Sequence, residues 1–569
     1  MKLLFDIETD GLLDTLTKVH CIALMDVDTR VILTFDPTSI EQGLKALMEA
    51  DELIGHNIMG FDIPALLKVY PDFKPPKKIT DTLVLSRLIW PNLRELDFNK
   101  EKIPRKSFGS HSLEAWGYRL KCHKGDFGQD TDWAEFTPEM LEYCKQDIWV
   151  NKTLLDAINK KEFSHDAIRL EHDIHRICLE QERLGFPFEE QKAAALYSRL
   201  SARREELKAQ LQEQFEPNVI QLKTKTKVVP FNPASRQQIA DRLMKRGWKP
   251  EEETDSGQPK VDESVLAKID IPEAKLLLEF LMLNKRIGQL AEGANAWLKL
   301  SKQGRIHGRV TTMGAVTSRA THQSPNLAQI PSLRAAYGKE CRELFHAPIG
   351  WEIMGSDMSG IELRCLAHYM ARFDKGKYAD IILNGDIHTA NQKAAALPTR
   401  DHAKTFIYAL LYGAGAAKIG SIVGQGVKGG SGLKKRFLSN LPALAKLQKA
   451  VEGKASQEGY LTGLDKRTIP VRSPHSALNT LLQCAGALLA KQWVVEFHNV
   501  AKEQGYDHGK DYQQVAWVHD EIQILVPKGK GDIFGKISQT AIERAGKHFK
   551  FRIKLDTEYN IGSSWAETH

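Results

Sequence analysis

Cysteine is scarce in this chain and never clustered. The seven residues, Cys21, Cys122, Cys144, Cys178, Cys341, Cys365 and Cys484, form no CxxC pair and no ligand-like spacing. That argues against a structural zinc site and a disulfide framework, and for a reducing cytoplasm. Long hydrophobic runs are also missing, and no uninterrupted apolar stretch could span a bilayer. The opening MKLLFDIETDGL meets acids too early for a signal peptide, so a soluble, intracellular protein without a membrane partner is expected. An excess of one charge is nearly lacking: 79 Lys+Arg against 72 Asp+Glu leave +7. So small a surplus does not identify a nucleic-acid binder. No internal repeat and no low-complexity segment occurs.

What the chain has is length. Its 569 residues exceed what one hydrophobic core can organise, so about two to four domains are expected. Hydrophobic residues at 42% and charged residues at 27% are ordinary for a folded protein. Up to about residue 160, KLLFDIE, VHCIALMDV, TRVILTF and ELIGHNI read as strands. EQGLKALMEA and MLEYCKQDIWVNKTLLDAI read as helices between and after them, which predicts an α/β sheet. From 161 to about 300, long charged helices predict a projecting arm, interrupted by the link EPNVIQLKTKTKVVPFNP. Strands then return in RIHGRVTT, EIMGSDMS and QQVAWVHDEIQILVP, with long helices between the last two. This predicts a sheet broken by a large helical insertion.

Asp6 and Glu8 lie two apart on a predicted strand, so both face one side. Alone, that pair reads more simply as two solvated acids. Asn57 and Asp62 of GHNIMGFD, and Tyr143 and Asp147 one helical turn apart in YCKQD, change the balance. Asp6, Glu8, Asp62 and Asp147 together could hold two Mg²⁺, which prefer oxygen ligands. Metals about 3.5–4 Å apart would ionise a water and stabilise a leaving phosphodiester oxygen, with Tyr143 orienting the water. This set resembles the tyrosine-type DEDD exonucleases, the proofreading class.

A second acidic set follows. Asp357 stands at the end of a predicted strand with Glu362 on the helix behind it, and VHDE places His519, Asp520 and Glu521 between two apolar strand halves. HDE alone is more simply a polar turn. Between these segments, Arg400, Lys404, Tyr408 and Tyr412 recur every four residues along one helical stripe. Two cations followed by two aromatics suit a nucleoside triphosphate, although an amphipathic helix with a snorkelling basic edge is common.

These segments resemble motifs A, B and C of the family A DNA polymerases, phage replicative branch. The resemblance runs through HGRVTTMGAVTSRATHQSPNLAQIP, DMSGIELRCLAHYMARFD, LNGDIHTANQ, RDHAKTFIYALLYGAG, RSPHSALNTLLQCAGALL and AWVHDEIQ. It implies an α+β multidomain fold: a ribonuclease H-like DEDD exonuclease domain followed by a right hand of palm, fingers and thumb. The implied bounds are 1–160 for the exonuclease, 161–304 for the thumb and connecting helices, 305–375 and 491–569 for the palm, and 376–490 for the fingers.

It further implies that Asp357 and Asp520, with the Met358 carbonyl, bind two Mg²⁺ (Mn²⁺ being the alternative), as the four exonuclease acids bind another two. His388, Arg400, Lys404 and Tyr408 would hold the incoming nucleotide, and Lys404 could also donate a proton to the leaving pyrophosphate. Glu362 and Tyr408 would exclude a 2′-hydroxyl, and Tyr at 408 implies poor discrimination against dideoxynucleotides. Arg319 and Gln483 would contact minor-groove acceptors common to all correct pairs. His519, Glu521 and Tyr412 would lie near the DNA and the primer end.

The implied partners are primer-template DNA and dNTPs, with a phage helicase-primase and a single-stranded DNA-binding protein as further candidates, for a monomer in the cytoplasm of an infected host. Phage replicative members carry a long thumb insertion that recruits host thioredoxin. Here the corresponding stretch is reduced to EPNVIQLKTKTKVV, which argues against thioredoxin. Its basic QLKTKTK portion either touches DNA phosphates or forms a plain solvated hairpin. The stretch EGKASQEGYLTGLDKRTIPV is also short. Two other readings remain: a repair polymerase of the bacterial DNA polymerase I type, and a DNA-binding nuclease factor with an inactive polymerase site.

Overall fold

The structure, a computed structural model, describes residues 1–98, 102–122, 132–221, 225–254 and 256–569. The first unit is a five-stranded sheet. Strand Lys2–Thr9 lies at its centre, antiparallel to Val19–Asp26 and parallel to Glu52–Gly55. Ile32–Phe35 and Lys78–Asp81 form the edges. Strand alternation explains how the sheet is covered. Leu3, Phe5 and Ile7 point into one core with helices Ile40–Met48 and Asp62–Val69. Leu4 points the other way, onto Cys144, Ile148 and Leu155 of helix Pro138–Asn159. Asp6 and Glu8 continue the Leu4 side, so they must meet that long helix.

Helices His165–Leu184, Glu190–Gln214 and Pro272–Ile287 follow. Leu200, Leu207 and Leu211 of the second pack with Leu277, Leu281 and Leu283 of the third. The link between these helices forms a hairpin, Asn218–Gln221 paired with Thr226–Val229. Leu222, Lys223 and Thr224, the middle of the basic segment, lie outside the described residues.

The last unit is a four-stranded antiparallel sheet in the order Gln513–Val518, Glu521–Pro527, Trp351–Met358, Thr557–Gly562. Its two central strands pair Ile353 with Leu525 and Met354 with Ile524. Ile353 and Leu525 bury against the arm, with Trp565 and Phe345, while Met354 and Ile524 bury against helices Ala477–Glu503 and Gly531–His548. Both faces are therefore covered, and helices from 361 to 503 are inserted between the first and second of these strands in sequence. Among the described residues, no helix is long and apolar enough to cross a membrane.

Candidate active sites

The hairpin 513–527 turns on only two residues, His519 and Asp520. His519 takes a left-handed backbone conformation, φ 57°, which sets Asp520 beside the neighbouring strand end. There the Met358 N–H donates to the Asp520 carbonyl at 3.0 Å, and Asp357 stands in register with Glu521 on one side and Glu558 on the other. Gly360, at φ 56°, turns the chain into helix Ile361–Asp374, a conformation that costs glycine little. Glu362 thereby starts that helix over the two aspartates.

Electrostatics mark the spot. Burial, then the charges of Asp520, Glu521, Glu362 and Glu558, push Asp357 up to about 8. Burial, then Glu362 and Glu521, raise Asp520 to about 6, with Arg319 acting in the opposite direction. Five carboxyl groups crowd here with little cationic relief, a donor set that fits hard divalent cations with oxygen ligands.

Glu521 behaves differently from its neighbours. Its carboxylate accepts from Trp565 Nε1 at 2.6 Å and Gln523 Nε2 at 2.6 Å, and pairs with His569 at 2.7 Å. Despite its burial, these partners hold its pKa below the usual range. It is anchored to the C-terminal segment while standing in register with Asp357.

Helix Arg400–Leu411 starts at Thr399, whose side chain accepts from the His402 N–H. Arg400, Lys404 and Tyr408 share its stripe. Tyr412 sits just past its end, with its N–H on the Tyr408 carbonyl at 2.9 Å. The Tyr412 hydroxyl donates to Glu362 at 2.8 Å, and Arg319 lies over its ring at 5.8 Å. Gln483 donates to Asn479, which donates to the Tyr412 carbonyl. His388 lies 6.3 Å from the Tyr408 ring, and burial, then Arg400 and Lys404, lower its pKa. Asp386, which sequence reasoning did not single out, caps the His388 helix and pairs with Arg400 at 2.8 Å. A cleft of about 210 Å³ is lined by Arg319, Glu362, Tyr412, His519 and Asp520. Arg319, Glu362, Tyr412, His519 and Asp520, from four separate motifs, thus share one cleft.

A second acidic centre lies in the N-terminal unit. The Asp62 carboxylate accepts from the Ile7 N–H at 3.3 Å, between Asp6 and Glu8. Burial, together with the charges of Asp81 and Asp147, pushes it to about 7. Asp147, also buried, projects from helix Pro138–Asn159, and Tyr143, one turn earlier, lies 6.3 Å from the Trp133 ring. Ligand atoms of Asp6, Glu8 and Cys144 lie within 4.8 Å of one another, and the Cys144 thiol reaches the Asp6 carbonyl at 3.4 Å. Cys144 was not recognisable as a neighbour, because a lone cysteine between Tyr143 and Lys145 carries no pattern. Asp81 was missed as well. Its carboxylate accepts from the N–H groups of Asn57, Met59 and Leu83, fixing the loop that delivers Asp62.

Residues 198–567 match DNA polymerase family A. The DNA-directed DNA polymerase of Escherichia phage T7 is 39% identical, over 99% of this chain and 99% of its own length. That of Enterobacteria phage T3 is 39% identical over 100% of both. DNA polymerase I of Aquifex aeolicus is 25% identical over 98% of this chain and 95% of its own. A solved POL domain of Pol1 from M. smegmatis, in complex with DNA primer-template and dNTP, superposes with a TM-score of 0.78 at 18% identity. That match covers 99% of this chain and 96% of the other.

Fold and site thus define a polymerase, and the chain belongs to DNA polymerase family A. It is a DNA-directed DNA polymerase of the phage type, acting on primer-template DNA with dNTPs and needing divalent metal ions. The alignment to the T7 relative spans 701 positions for a chain of 569 residues, so that relative carries insertions absent here.

Proposed function

We propose that this polymerase extends a primer 3′ end at Asp357 and Asp520, and removes misplaced nucleotides at a second site built from Asp6, Glu8, Asp62 and Asp147. Asp357, Asp520 and the Met358 carbonyl would hold one pair of Mg²⁺, and the four N-terminal acids another. Bound there, such ions would supply a lowered pKa at the attacking oxygen and offset charge on the leaving one. Arg400, Lys404 and His388 grip the triphosphate, and Lys404 is placed to pass a proton to the departing pyrophosphate. Tyr408 and Glu362 close the sugar pocket against a 2′-hydroxyl. Arg319 and Gln483 contact the minor groove, with Tyr412 and His519 beside the DNA. Tyr143 orients the hydrolytic water.

In this reading residues 1–160 are a ribonuclease H-like exonuclease domain and 161–304 the thumb and connecting helices. The palm comprises 305–375 and 491–569, and the fingers 376–490. The short pairing of 218–221 with 226–229 argues against a thioredoxin-binding insertion. The enzyme replicates phage DNA in the infected cell as a monomer, beside a helicase-primase and a single-stranded DNA-binding protein.

The observation that carries the reading is the two-residue turn that sets Asp520 against the strand ending at Asp357 and Met358, with the Glu362 charge acting on both aspartates. Purified protein with Mg²⁺ should extend a primed template and, without dNTPs, shorten single strands from the 3′ end. Extension without shortening would remove the proofreading half. Absence of extension would sink the reading.

A further inference from the structure

The N-terminal carboxylates open onto a groove of about 3010 Å³. Asp6, Asn57 and Asp147 line it, and so do Asn479 and Gln483 of helix Ala477–Glu503. One space thus borders both the excision site and the residues behind Tyr412. Three elements meet in its wall: helix Thr82–Ile89, helix His165–Leu184 and the strand Arg309–Thr311. Val84 and Leu88 of the first helix pack on Ala167 of the second and on Met313 just beyond the strand. On the groove side these elements present Arg87, His175 and Arg309.

Two of these groups have no protein partner among the described residues. His175 is only 5% exposed, and among the described residues neither of its ring nitrogens has a hydrogen-bond partner. Buried polar atoms in native folds seldom go unmatched without a ligand or water to meet them. Arg87, half-buried, has neither an ion pair nor a hydrogen bond among the described residues. Arg309 beside it pairs with Glu182 at 3.1 Å at the rim. The acid whose charge acts most on Arg87 and His175 is Asp81, whose carboxylate is already committed to three backbone N–H groups. Burial keeps His175 neutral, near pKa 4, so it offers a hydrogen bond while Arg87 offers the charge. A guanidinium fork beside a neutral N–H donor suits a phosphodiester oxygen pair.

We propose that Arg87 and His175, with Arg309 at the rim, form a phosphate seat for the single primer strand as it passes between the polymerising and excising carboxylates. The proposal rests on the reading of Asp6, Glu8, Asp62 and Asp147 as an excision site. The test is binding alone, in EDTA, so no hydrolysis is needed. The probes are two labelled primer-templates: one fully matched, the other mismatched over its last few primer bases.

Arg87→Ala should weaken the mismatched probe several-fold and lower the slope of its log affinity against log salt by about 0.7, the loss of one single-strand phosphate contact. Matched binding should stay the same, which also reports an intact fold. Arg87→Lys should restore the slope, and His175→Phe should weaken the mismatched probe with the slope kept. Equal losses on both probes, or no loss on either, would overturn the seat. Failure of the wild-type enzyme to shorten single strands with Mg²⁺ would instead strike the excision reading beneath it.

Discussion

Asp357, Asp520 and Asp62 share a predicament: each is an acid whose surroundings oppose its charge. Their carboxyls are raised to about 8, 6 and 7 by burial and like charges. A folded-state pKa above the unfolded value means the folded protein holds more protons, so stability falls as pH rises through that window. In EDTA the melting midpoint should therefore drop between about pH 6 and pH 8. Mg²⁺ should restore it, most at pH 8, because ligand bound only to the folded state stabilises it. A midpoint indifferent to Mg²⁺ at pH 8 would contradict the metal assignment. Tyr408 makes a sharper test. Its hydroxyl can stand in for the hydrogen bond that a sugar without a 3′-hydroxyl fails to make. Tyr408→Phe should raise discrimination against dideoxynucleotides roughly ten- to a hundredfold, the worth of one hydrogen bond to a charged group. Competitive incorporation at a single template position measures it.

Elements hold these residues in place, and here sequence and structure can be compared. Period-two alternation in 2–9 and the apolar halves around HDE made the strands legible, and the four-residue spacing of 400, 404 and 408 made the helix legible. The same spacing suggested that Tyr412 continues the stripe, but the helix ends at Leu411 and Tyr412 instead turns its hydroxyl to Glu362. The backbone reversal at Gly413, φ 76°, is the local reason. The partners of Glu521, Trp565 and His569, are distant in sequence. Periodicity cannot report such contacts. Nor could it report the buried network of Glu171, Asp465, Arg467 and Lys491. Arg467 and Lys491 both reach Glu171 Oε1 at 2.6 Å, tying helix His165–Leu184 to helix Ala477–Glu503. Each side chain is at most 1% exposed. Removing one partner leaves a buried charge unmatched, so Glu171→Gln should cost about 3–5 kcal/mol. A melting midpoint within a degree or so of the wild type would show that the network is not strained by that loss.

On the scale of the whole molecule, the N-terminal acidic centre opens onto a groove that also reaches Asn479 and Gln483, Asp520 and Glu362 line a separate cleft, and the arm hairpin is short. On the proposal that the short hairpin replaces a thioredoxin-binding insertion, run length on a primed long template should be the same with and without thioredoxin. A several-fold extension on adding it would reverse that reading. The central claim is that two separate carboxylate centres perform two separate reactions. Its most direct measurement compares primer extension with single-strand shortening in one variant, Asp357→Ala. Extension should fall on the order of 10³-fold or more, since a metal clamp contributes several kcal/mol to the transition state, while shortening proceeds at the wild-type rate. Loss of both reactions in a folded protein, or extension that survives, would contradict the account.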